Sequence, residues 1–422
     1  MCAMSRAPAR HDPFEDALPG FDELLIAPVP GPMTALYRLA GSRIRSSSRI
    51  QATWRPGRRL TVRYRVVASA GSLAGSRDVV AVAGELPAGA IEIEGADGAV
   101  GLWVVPDDPH LPGLRSALDP PTVRRLLGDL GFPDEVVNCR LRAYRPGRRA
   151  VVEVKAERSS LFLKVVPPAE VLGLHERHRH LSGSVAVPDS LGLAANLGIV
   201  AMTALPGTDL RSVLRNGSQQ MPGARALCAM IARLPEPHRD WMATSPIDSV
   251  RSVADLLVRL VPEERDRLNR IVSDIGVESD ADRVPVHGDF HEAQILVDGQ
   301  RPVGLIDVDT YGWGRRADDA STMLGHLHLL APGCSDPSRV LDLARSLNRR
   351  WDASLDPVDL RMRTAAVVLG LATGPFRVQR PNWREETVAR IEVAERWVES
   401  ACVVDERSLI PASAGSHTDA GS

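Results

Sequence analysis

The sequence lacks the features of a membrane-spanning or secreted protein. No uninterrupted apolar run approaches the roughly 18 residues that a transmembrane helix needs. Residues 1–19 carry Arg, His and Asp without the apolar core of a secretory signal. A basic excess is also absent, because 51 Lys and Arg face 53 Asp and Glu, whereas nucleic-acid-binding domains are usually strongly basic. We therefore expect a cytoplasmic protein that binds neither membranes nor nucleic acids.

Cysteine is scarce and scattered. The five cysteines form no C-x-x-C pair and are Cys2, Cys139, Cys228, Cys334 and Cys402. An odd, widely spaced set of this kind favours neither a disulfide framework nor a zinc–cysteine site. We interpret these residues as free, buried thiols.

Lysine is nearly absent. Only Lys155 and Lys164 occur, so almost all positive charge is arginine. Neither lysine follows a glycine, which excludes the Gly-Lys-Ser/Thr sequence of a Walker A loop. A position that remains lysine in such a chain is a candidate for a role that needs a compact ammonium rather than a planar guanidinium. Lys155 is predicted to face solvent, which leaves Lys164 as the candidate.

Length and pattern predict several units along the chain. A chain of 422 residues with 44% hydrophobic residues is expected to form two or three domains. Strand patterns prevail in the first half and helical periodicity in the second, including one long helix predicted over residues 250–275. The predicted divisions are disordered ends (1–20 and 407–422), an N-terminal accessory α+β subdomain (21–132), a β-rich lobe (133–206) and a helical lobe (207–406).

A weak repeat links the first two structured segments. Trp54–Arg59 and Tyr144–Arg149 both contain Arg-Pro-Gly-Arg-Arg after an aromatic residue, ninety positions apart. Each copy predicts a strand, a Pro-Gly turn and a second alternating strand. The repeat could mark two merely similar turns or a duplication, and we state as a hypothesis that the N-terminal unit is a degenerate copy of the β-rich lobe. The first copy contains no lysine, so it would act as a cap or brace.

Most of the chemistry is concentrated in an island of strand and loop within the helical half, from Val284 to Trp313. Asp289 is followed five positions later by Gln294, and Asp307 comes thirteen positions after that, at the end of an apolar strand. A hairpin turning at Asp298-Gly299 would bring the three side chains together. Carboxylate and amide oxygens are hard ligands that suit Mg²⁺, which would take its remaining ligands from water or phosphate. The island therefore predicts a phosphorylated substrate.

Phosphoryl transfer also requires a lysine on the opposite lobe to bind phosphates. Lys164 lies on a predicted strand, and the helix that follows offers Glu176 as an ion-pair partner. With these parts assembled, residues 287–294 and Ile306-Asp307 resemble the catalytic loop and metal-binding segment of the aminoglycoside phosphotransferase family. Members of that family are small-molecule kinases, and the resemblance covers roughly residues 137–403.

The resemblance implies an α+β, protein-kinase-like fold with a β-rich N-lobe and a helical C-lobe, here with an additional N-terminal α+β subdomain. It implies ATP and Mg²⁺ as cofactors and transfer of the γ-phosphate to a hydroxyl of a small polar molecule. The roles it implies are as follows: Asp289 is the catalytic base, Gln294 and Asp307 hold Mg²⁺, Lys164 binds the α- and β-phosphates, Glu176 holds Lys164, and backbone near Thr203 and Leu205 meets adenine.

The sequence departs from the family pattern in ways that leave alternatives open. The family usually has asparagine where Gln294 stands, although similar maltokinase-like sugar kinases carry glutamine. The Arg145–Arg149 turn has a single glycine. A catalytically decayed, nucleotide-binding relative would show the same departures. A metal-dependent transferase of nucleotide-sugars is suggested by the Asp307–Asp309 pair, but it leaves Asp289 and Lys164 unexplained.

Four further residues in or beside the island have simpler expected roles. His287 is predicted to brace the loop by hydrogen bonds rather than to carry protons. Asp319 is expected to stabilise the start of its helix through the helix dipole. His326 lies on that helix and is expected in the core or the cleft wall. Asp309 would either support the metal ligands or contact substrate.

Overall fold

The computed structural model describes residues 18–132, 134–218, 220–276 and 282–409, with side chains up to residue 403. Most of the two ends predicted as disordered, residues 1–20 and 407–422, lie outside the described residues. The strands are β1 (Arg43–Arg55), β2 (Arg59–Ser69), β3 (Gly75–Gly84), β4 (Ile91–Glu94), β5 (Ala99–Val104), β6 (Val136–Arg145), β7 (Arg149–Ala156), β8 (Ser160–Val165), β9 (Ser190–Ala194), β10 (Ile199–Thr203), β11 (Thr208–Asp209), β12 (Val284–Val286), β13 (Ile295–Asp298), β14 (Arg301–Leu305) and β15 (Gly312–Gly314). The α-helices are α1 (Phe21–Leu25), α2 (Gly31–Leu39), α3 (Leu114–Ala117), α4 (Pro120–Asp129), α5 (Val171–Leu181), α6 (Leu210–Arg215), α7 (Ala224–Ile231), α8 (Val250–Leu260), α9 (Arg265–Asp274), α10 (Arg316–Leu330), α11 (Pro337–Asp352), α12 (Pro357–Ala372), α13 (Gly374–Arg377) and α14 (Trp383–Leu409).

Two five-stranded antiparallel sheets share one strand order. The first runs β1-β2-β3-β5-β4 and the second β6-β7-β8-β10-β9. Each begins with the repeated hairpin, in which the first and last arginines of Arg-Pro-Gly-Arg-Arg pair across the turn. Both turns need a glycine in the left-handed region, with φ of 69° at Gly57 and 67° at Gly147. The common order supports the duplication hypothesis.

The two sheets differ in two features, a connecting helix and a lysine on the third strand. Helix α5 connects the third and fourth strands of the second sheet, whereas a short loop connects those of the first. Lys164 of β8 pairs with Val151, two residues after the turn, and the equivalent residue of the first sheet is Val82, which pairs with Thr61. The first sheet therefore has the scaffold without the lysine or the helix.

The N-terminal unit, residues 18–132, contacts both lobes. One face of its sheet packs on the second sheet, with Trp103 and Val82 sharing a buried core with Tyr144 and Val152. The opposite face is covered by α1 and α2, and its core also includes Leu260 and Phe376 of the helical lobe. Burying each large apolar side chain contributes about 1.5–3 kcal/mol. These two cores tie the N-terminal unit to both lobes, as expected of a brace.

The helical lobe is built around two cores. One surrounds the loop island and includes α7, α10 and α11, and the other joins α8, α9, α12 and α14. The single helix predicted over residues 250–275 is wrong, because α8 ends at Leu260 and a 3₁₀ turn precedes α9. Pro262 explains the break, since proline cannot donate the backbone hydrogen bond of a helix interior. Within the described residues, no helix combines the length and apolarity needed to cross a bilayer.

Candidate active site

A hairpin brings the predicted metal ligands together. β13 and β14 pair antiparallel, with Ile295 opposite Leu305 at the open end. Gln294 immediately precedes β13, and its carbonyl accepts a hydrogen bond from the amide of Ile306 at 2.9 Å. Gln294 Nε2 lies 3.4 Å from Asp307 Oδ2. The hairpin predicted at Asp298-Gly299 therefore places these two side chains in contact, as the residue spacing requires.

Asp307 has an unusual backbone conformation. Its φ of 58° and ψ of 51° are left-handed, a conformation that residues other than glycine rarely adopt, although Asp and Asn adopt it more readily than most. The turn ends β14 abruptly and starts a short 3₁₀ helix over Val308–Thr310. Strained positions of this kind cluster at functional sites.

Lys164 crosses from the β-rich lobe to the loop island. Its Nζ donates to Asp307 Oδ1 at 2.7 Å and also to Asp309. Lys164 is only 4% exposed, so the prediction that it points into the cleft agrees with its position. Asp309, whose role the sequence left open, is a direct partner of this ammonium.

Arg149 is a second cation at the same carboxylates, and sequence reasoning missed it. Its guanidinium donates to Asp307 Oδ2 at 3.0 Å and to Asp309 Oδ2 at 3.2 Å. Arg149 ends the second Arg-Pro-Gly-Arg-Arg turn, so the repeat was a usable signal, but turn arginines usually face solvent. Two cations and two carboxylates thus form a compact cluster across the cleft.

Electrostatics keep Asp307 ionised. Burial alone would raise the pKa of its carboxyl, but the charges of Lys164 and Arg149 outweigh that effect and hold the pKa well below its ordinary value. A buried ionised group is costly without a partner. Within this cluster each charge has a partner of opposite sign.

Asp289 lies on the loop after β12 and remains accessible. Its side chain is 41% exposed, with Oδ1 3.7 Å from His291 Nε2. Burial would raise the pKa of Asp289, but the adjacent His291 and the nearby His287 and His326 lower it below its ordinary value. Asp289 is therefore ionised at neutral pH and can accept a proton from a group in the cleft.

Hydrogen bonds to His287 and Asp319 hold the backbone of the loop that carries Asp289. The His287 ring accepts from the amide of Asp289 through Nδ1 at 3.2 Å, and its Nε2 donates to the carbonyl of Ile306 at 3.0 Å. This agrees with the bracing role predicted for His287. Asp319 is fully buried on α10 and accepts from the amides of His287 and Gly288, each at 2.9 Å. The sequence predicted only that Asp319 stabilises the start of its helix, and it did not reveal these two hydrogen bonds to the loop backbone.

The prediction that Glu176 holds Lys164 is wrong. Helix α5 turns Val171, Leu174 and His178 inward, and this 3.6-residue period leaves Glu176 on the exposed face. The ion-pair partners of Lys164 are instead the two carboxylates of the loop island. His178 occupies the inner face, where its Nδ1 lies 2.7 Å from the carbonyl oxygen of Pro188.

The predicted hinge connects the lobes after β10. The amide of Thr203 donates to the carbonyl of Asp189 at 3.0 Å, and Thr203 Oγ1 accepts from the Asp189 amide at 2.9 Å. Leu205 packs against β14, where a Cβ added at Gly304 would lie 2.8 Å from Leu205 Cδ1. Met202 belongs to a small apolar cluster beside this segment. Thr203 thus uses its amide within the protein, while Leu205 packs against the hairpin that positions Gln294 and Asp307.

The N-terminal unit holds the turn above the cleft. Asp108 is 3% exposed, and its Oδ2 accepts from the amide of Gly147 and from the hydroxyl of Tyr144, both at 2.7 Å. The Trp103 indole donates to the same hydroxyl at 2.9 Å. A side chain from the accessory unit therefore positions the tip of the turn that carries Arg149. Because this contact joins distant segments, local sequence patterns could not reveal it.

Two histidines are stacked next to Asp289. The rings of His291 and His326 lie 4.0 Å apart and nearly parallel. Burial lowers the pKa of His326 to about 4, so this ring is neutral at physiological pH. Suitable ligand atoms of Asp289, His291 and His326 lie within 4.8 Å of one another. His326 thus lines the cleft beside the loop, in agreement with one of its two expected locations.

These observations define a two-lobed α+β protein of the protein-kinase-like class. The profile of the phosphotransferase enzyme family (APH) matches residues 140–357, just over half of the 422-residue chain. The chain belongs to this family, which confirms the resemblance.

Several solved structures are similar to the chain. One is macrolide 2'-phosphotransferase MphH from Brachybacterium faecium, with 19% identity, a TM-score of 0.41, and coverage of 65% of this chain and 97% of that chain. Another is an aminoglycoside-3'-phosphotransferase of type VIII, with 22% identity, a TM-score of 0.44, and coverage of 58% and 97%. A comparison with curated protein sequences finds no match. Identities this low say nothing about the acceptor of this chain.

Proposed function

We propose that the protein is a small-molecule kinase that uses ATP and Mg²⁺ to phosphorylate a hydroxyl of a small polar molecule. The observation that carries the proposal is the cluster across the cleft. Lys164 and Arg149 of the β-rich lobe meet Asp307 of the loop island, while Asp289 stays accessible beside them. Family membership supports phosphoryl transfer.

Asp289 is the proposed catalytic base. Its ionised carboxylate would orient the acceptor hydroxyl and take its proton as the new bond to phosphorus forms. The braces from His287 and Asp319 fix the loop backbone before substrate binds. Such preorganisation matters because a small displacement of reacting groups lowers the rate strongly.

The donor set fits Mg²⁺. Asp307 offers a carboxylate, and a half-turn of the Gln294 amide would present its oxygen beside Asp307 Oδ2, where Nε2 now lies at 3.4 Å. These are hard oxygen donors, and two side chains leave positions for water and phosphate. When bound, Mg²⁺ would neutralise phosphate charge. Lys164 and Arg149 would then bind phosphate oxygens in place of the carboxylates, and the segment near Thr203 and Leu205 would contact adenine.

The test is Asp289→Asn, with Asp298→Asn as a matched control on the exposed hairpin turn, where Asp298 only faces Arg301 at 3.4 Å. Loss of a general base lowers turnover by about 100- to 10,000-fold, and we expect Mg²⁺-ADP affinity to change less than about twofold, since Asp289 contacts the acceptor. ADP release over a metabolite panel gives turnover, and calorimetry gives affinity. Near-normal turnover of the Asp289→Asn protein would refute the assignment. Nucleotide binding by the unsubstituted protein without turnover would favour the decayed-kinase alternative.

A further inference from the structure

An arginine-rich recess lies next to the proposed catalytic cleft. It has a volume of about 530 Å³ and opens where the N-terminal unit, β6 and the end of α13 meet. Asp78 is the one carboxylate among its lining residues. The arginines that line it are Arg63, Arg65, Arg142, Arg145 and Arg377.

Some of these cations are already paired. Arg63 and Arg65 share Asp78, and Arg142 lies 3.8 Å from Glu153. The remaining two, and Arg148 at the adjacent turn, have no side-chain carboxylate partner among the described residues. We call Arg145, Arg148 and Arg377 the arginine triad.

The triad is a set of mutually repelling charges. Desolvation and the guanidinium groups of Arg149, Arg377 and Arg148 lower the pKa of Arg145, while the Asp307 carboxylate acts in the opposite direction. Desolvation and Arg148 likewise lower the pKa of Arg377. Like charges held together are unfavourable unless an anion offsets them. Asp307 is already paired with Lys164 and Arg149, so the triad has a surplus of positive charge that a bound anion would offset.

The triad also borders the reacting groups. Arg145 pairs across the hairpin with Arg149, whose guanidinium contacts Asp307. Arg377 comes from the helical lobe, at the end of α13. An anionic group bound by Arg145 and Arg377 would thus lie close to Arg149, at the edge of the cleft that holds Asp307. Guanidinium forks suit this task, because they bind phosphate and carboxylate oxygens in pairs.

We propose that the arginine triad binds a phosphate or carboxylate group of the hydroxyl acceptor, so that the enzyme phosphorylates an anionic metabolite rather than a polycation such as an aminoglycoside. This inference rests on the proposed kinase function. In the transfer, the bond from the γ-phosphorus to the β,γ-bridging oxygen breaks and ADP leaves with its electron pair. The acceptor oxygen forms the new bond to phosphorus, and its proton passes to Asp289.

The nucleotide is the other source of phosphate near these arginines. Lys164 and Arg149 already supply two cations at Asp307, which is where the triphosphate would lie. Arg145 and Arg377 line the recess formed with the N-terminal unit, whose lining residues do not include Lys164, Arg149 or Asp307. This separation favours the acceptor as the source of the anion, and the experiment distinguishes the two sources.

The experiment compares Arg145→Gln and Arg377→Gln with a control from the duplicated turn, Arg55→Gln. Arg55 occupies the position of Arg145 in the first sheet. Calorimetry on the full-length protein, saturated with a Mg²⁺-bound non-hydrolysable ATP analogue, measures binding of inorganic phosphate and of glucose 6-phosphate. We expect both triad variants to weaken phosphate binding at least tenfold and the control to leave it unchanged. Absent phosphate binding, or equal binding in all variants, would overturn the proposal.

Two further measurements distinguish an acceptor anion from a nucleotide phosphate, and failure of the anion-site proposal from failure of the kinase proposal. Affinity for the ATP analogue alone is expected to change less than about twofold in the Arg377→Gln protein, and a tenfold loss would assign the triad to the nucleotide. In an ADP-release screen, acids and phosphate esters are expected to exceed kanamycin in kcat/KM, and the reverse order would overturn the proposal. If no nucleotide binds, the kinase proposal fails by itself, and Arg377-dependent phosphate binding by the nucleotide-free protein still tests the anion site.

Discussion

Replacing Asp108 with asparagine should loosen the turn above the cleft. The Asp108 carboxylate accepts three hydrogen bonds. The donors are the hydroxyl of Tyr144, the amide of Gly147 and the amide of His110, the last at 2.9 Å. An asparagine has one oxygen, so its NH₂ group must face at least one donor. Hydrogen bonds to charged groups contribute about 1.5–3 kcal/mol and neutral ones about 1 kcal/mol. Loss of the charge and of one bond therefore predicts destabilisation by about 2–3 kcal/mol.

The same substitution should weaken nucleotide binding, because the turn must be ordered again when phosphates bind. If ordering the turn again reduces the free energy of nucleotide binding by about 1.4 kcal/mol, the Kd for Mg²⁺-ATP rises roughly tenfold. Calorimetry measures the affinity and denaturant unfolding the stability. Asp107→Asn is the matched control, because Asp107 is an exposed neighbour paired only with exposed Arg115, and such pairs contribute little. A destabilised Asp108→Asn protein with unchanged nucleotide affinity would refute a positioning role for the N-terminal unit.

Two further predictions concern the electrostatics of the cleft. Lys164→Met should raise the KM for ATP at least tenfold, because it leaves the charges of Asp307 and Asp309 less compensated. Glu176→Gln is the control and should change steady-state kinetics less than twofold, since Glu176 lies on the exposed face of α5. Comparable losses in both variants would restore Glu176 as the partner of Lys164. The second prediction concerns His326, whose folded-state pKa of about 4 lies below the ordinary value of about 6.5. As the pH falls from about 6.5 to about 4, the unfolded state is therefore protonated before the folded state. The free energy of unfolding is expected to drop by about 3 kcal/mol over this range. His326→Gln should flatten this limb of the unfolding free energy, measured in denaturant at each pH, and an unchanged limb would contradict the assignment.

The loop island could be predicted because its information is local. A hairpin turn between two short apolar strands forces Gln294 and Asp307 together, and the pairing of Ile295 with Leu305 produces that result. Lys164 stood out because it is one of two lysines. Its assignment to the cleft then followed from the need of phosphoryl transfer for a lysine on the lobe opposite the carboxylates.

Other parts depend on geometry that the sequence does not determine. The position of Glu176 depends on which face α5 turns inward, and Val171, Leu174 and His178 occupy that face. Arg149 could be assigned to the cleft only once the turn was seen above Asp307. Asp108 acts through a contact with Gly147, 39 positions away. Long-range contacts of this kind leave no periodic signal in either segment.

The two sheets of common strand order differ in what covers their equivalent faces. In each sheet the third strand presents one equivalent face, which holds Lys164 in the second copy and Val82 in the first. The face with Lys164 looks onto the loop island and its carboxylates. The face with Val82 is instead packed against the outer face of the second sheet, beside Trp103 and Val152. A lysine at residue 82 would be buried without a partner, and an isolated buried charge is strongly unfavourable. The space that a nucleotide would fill in the first copy is occupied by the second sheet, so the first copy can support the turn above the cleft but cannot bind phosphate in the same way.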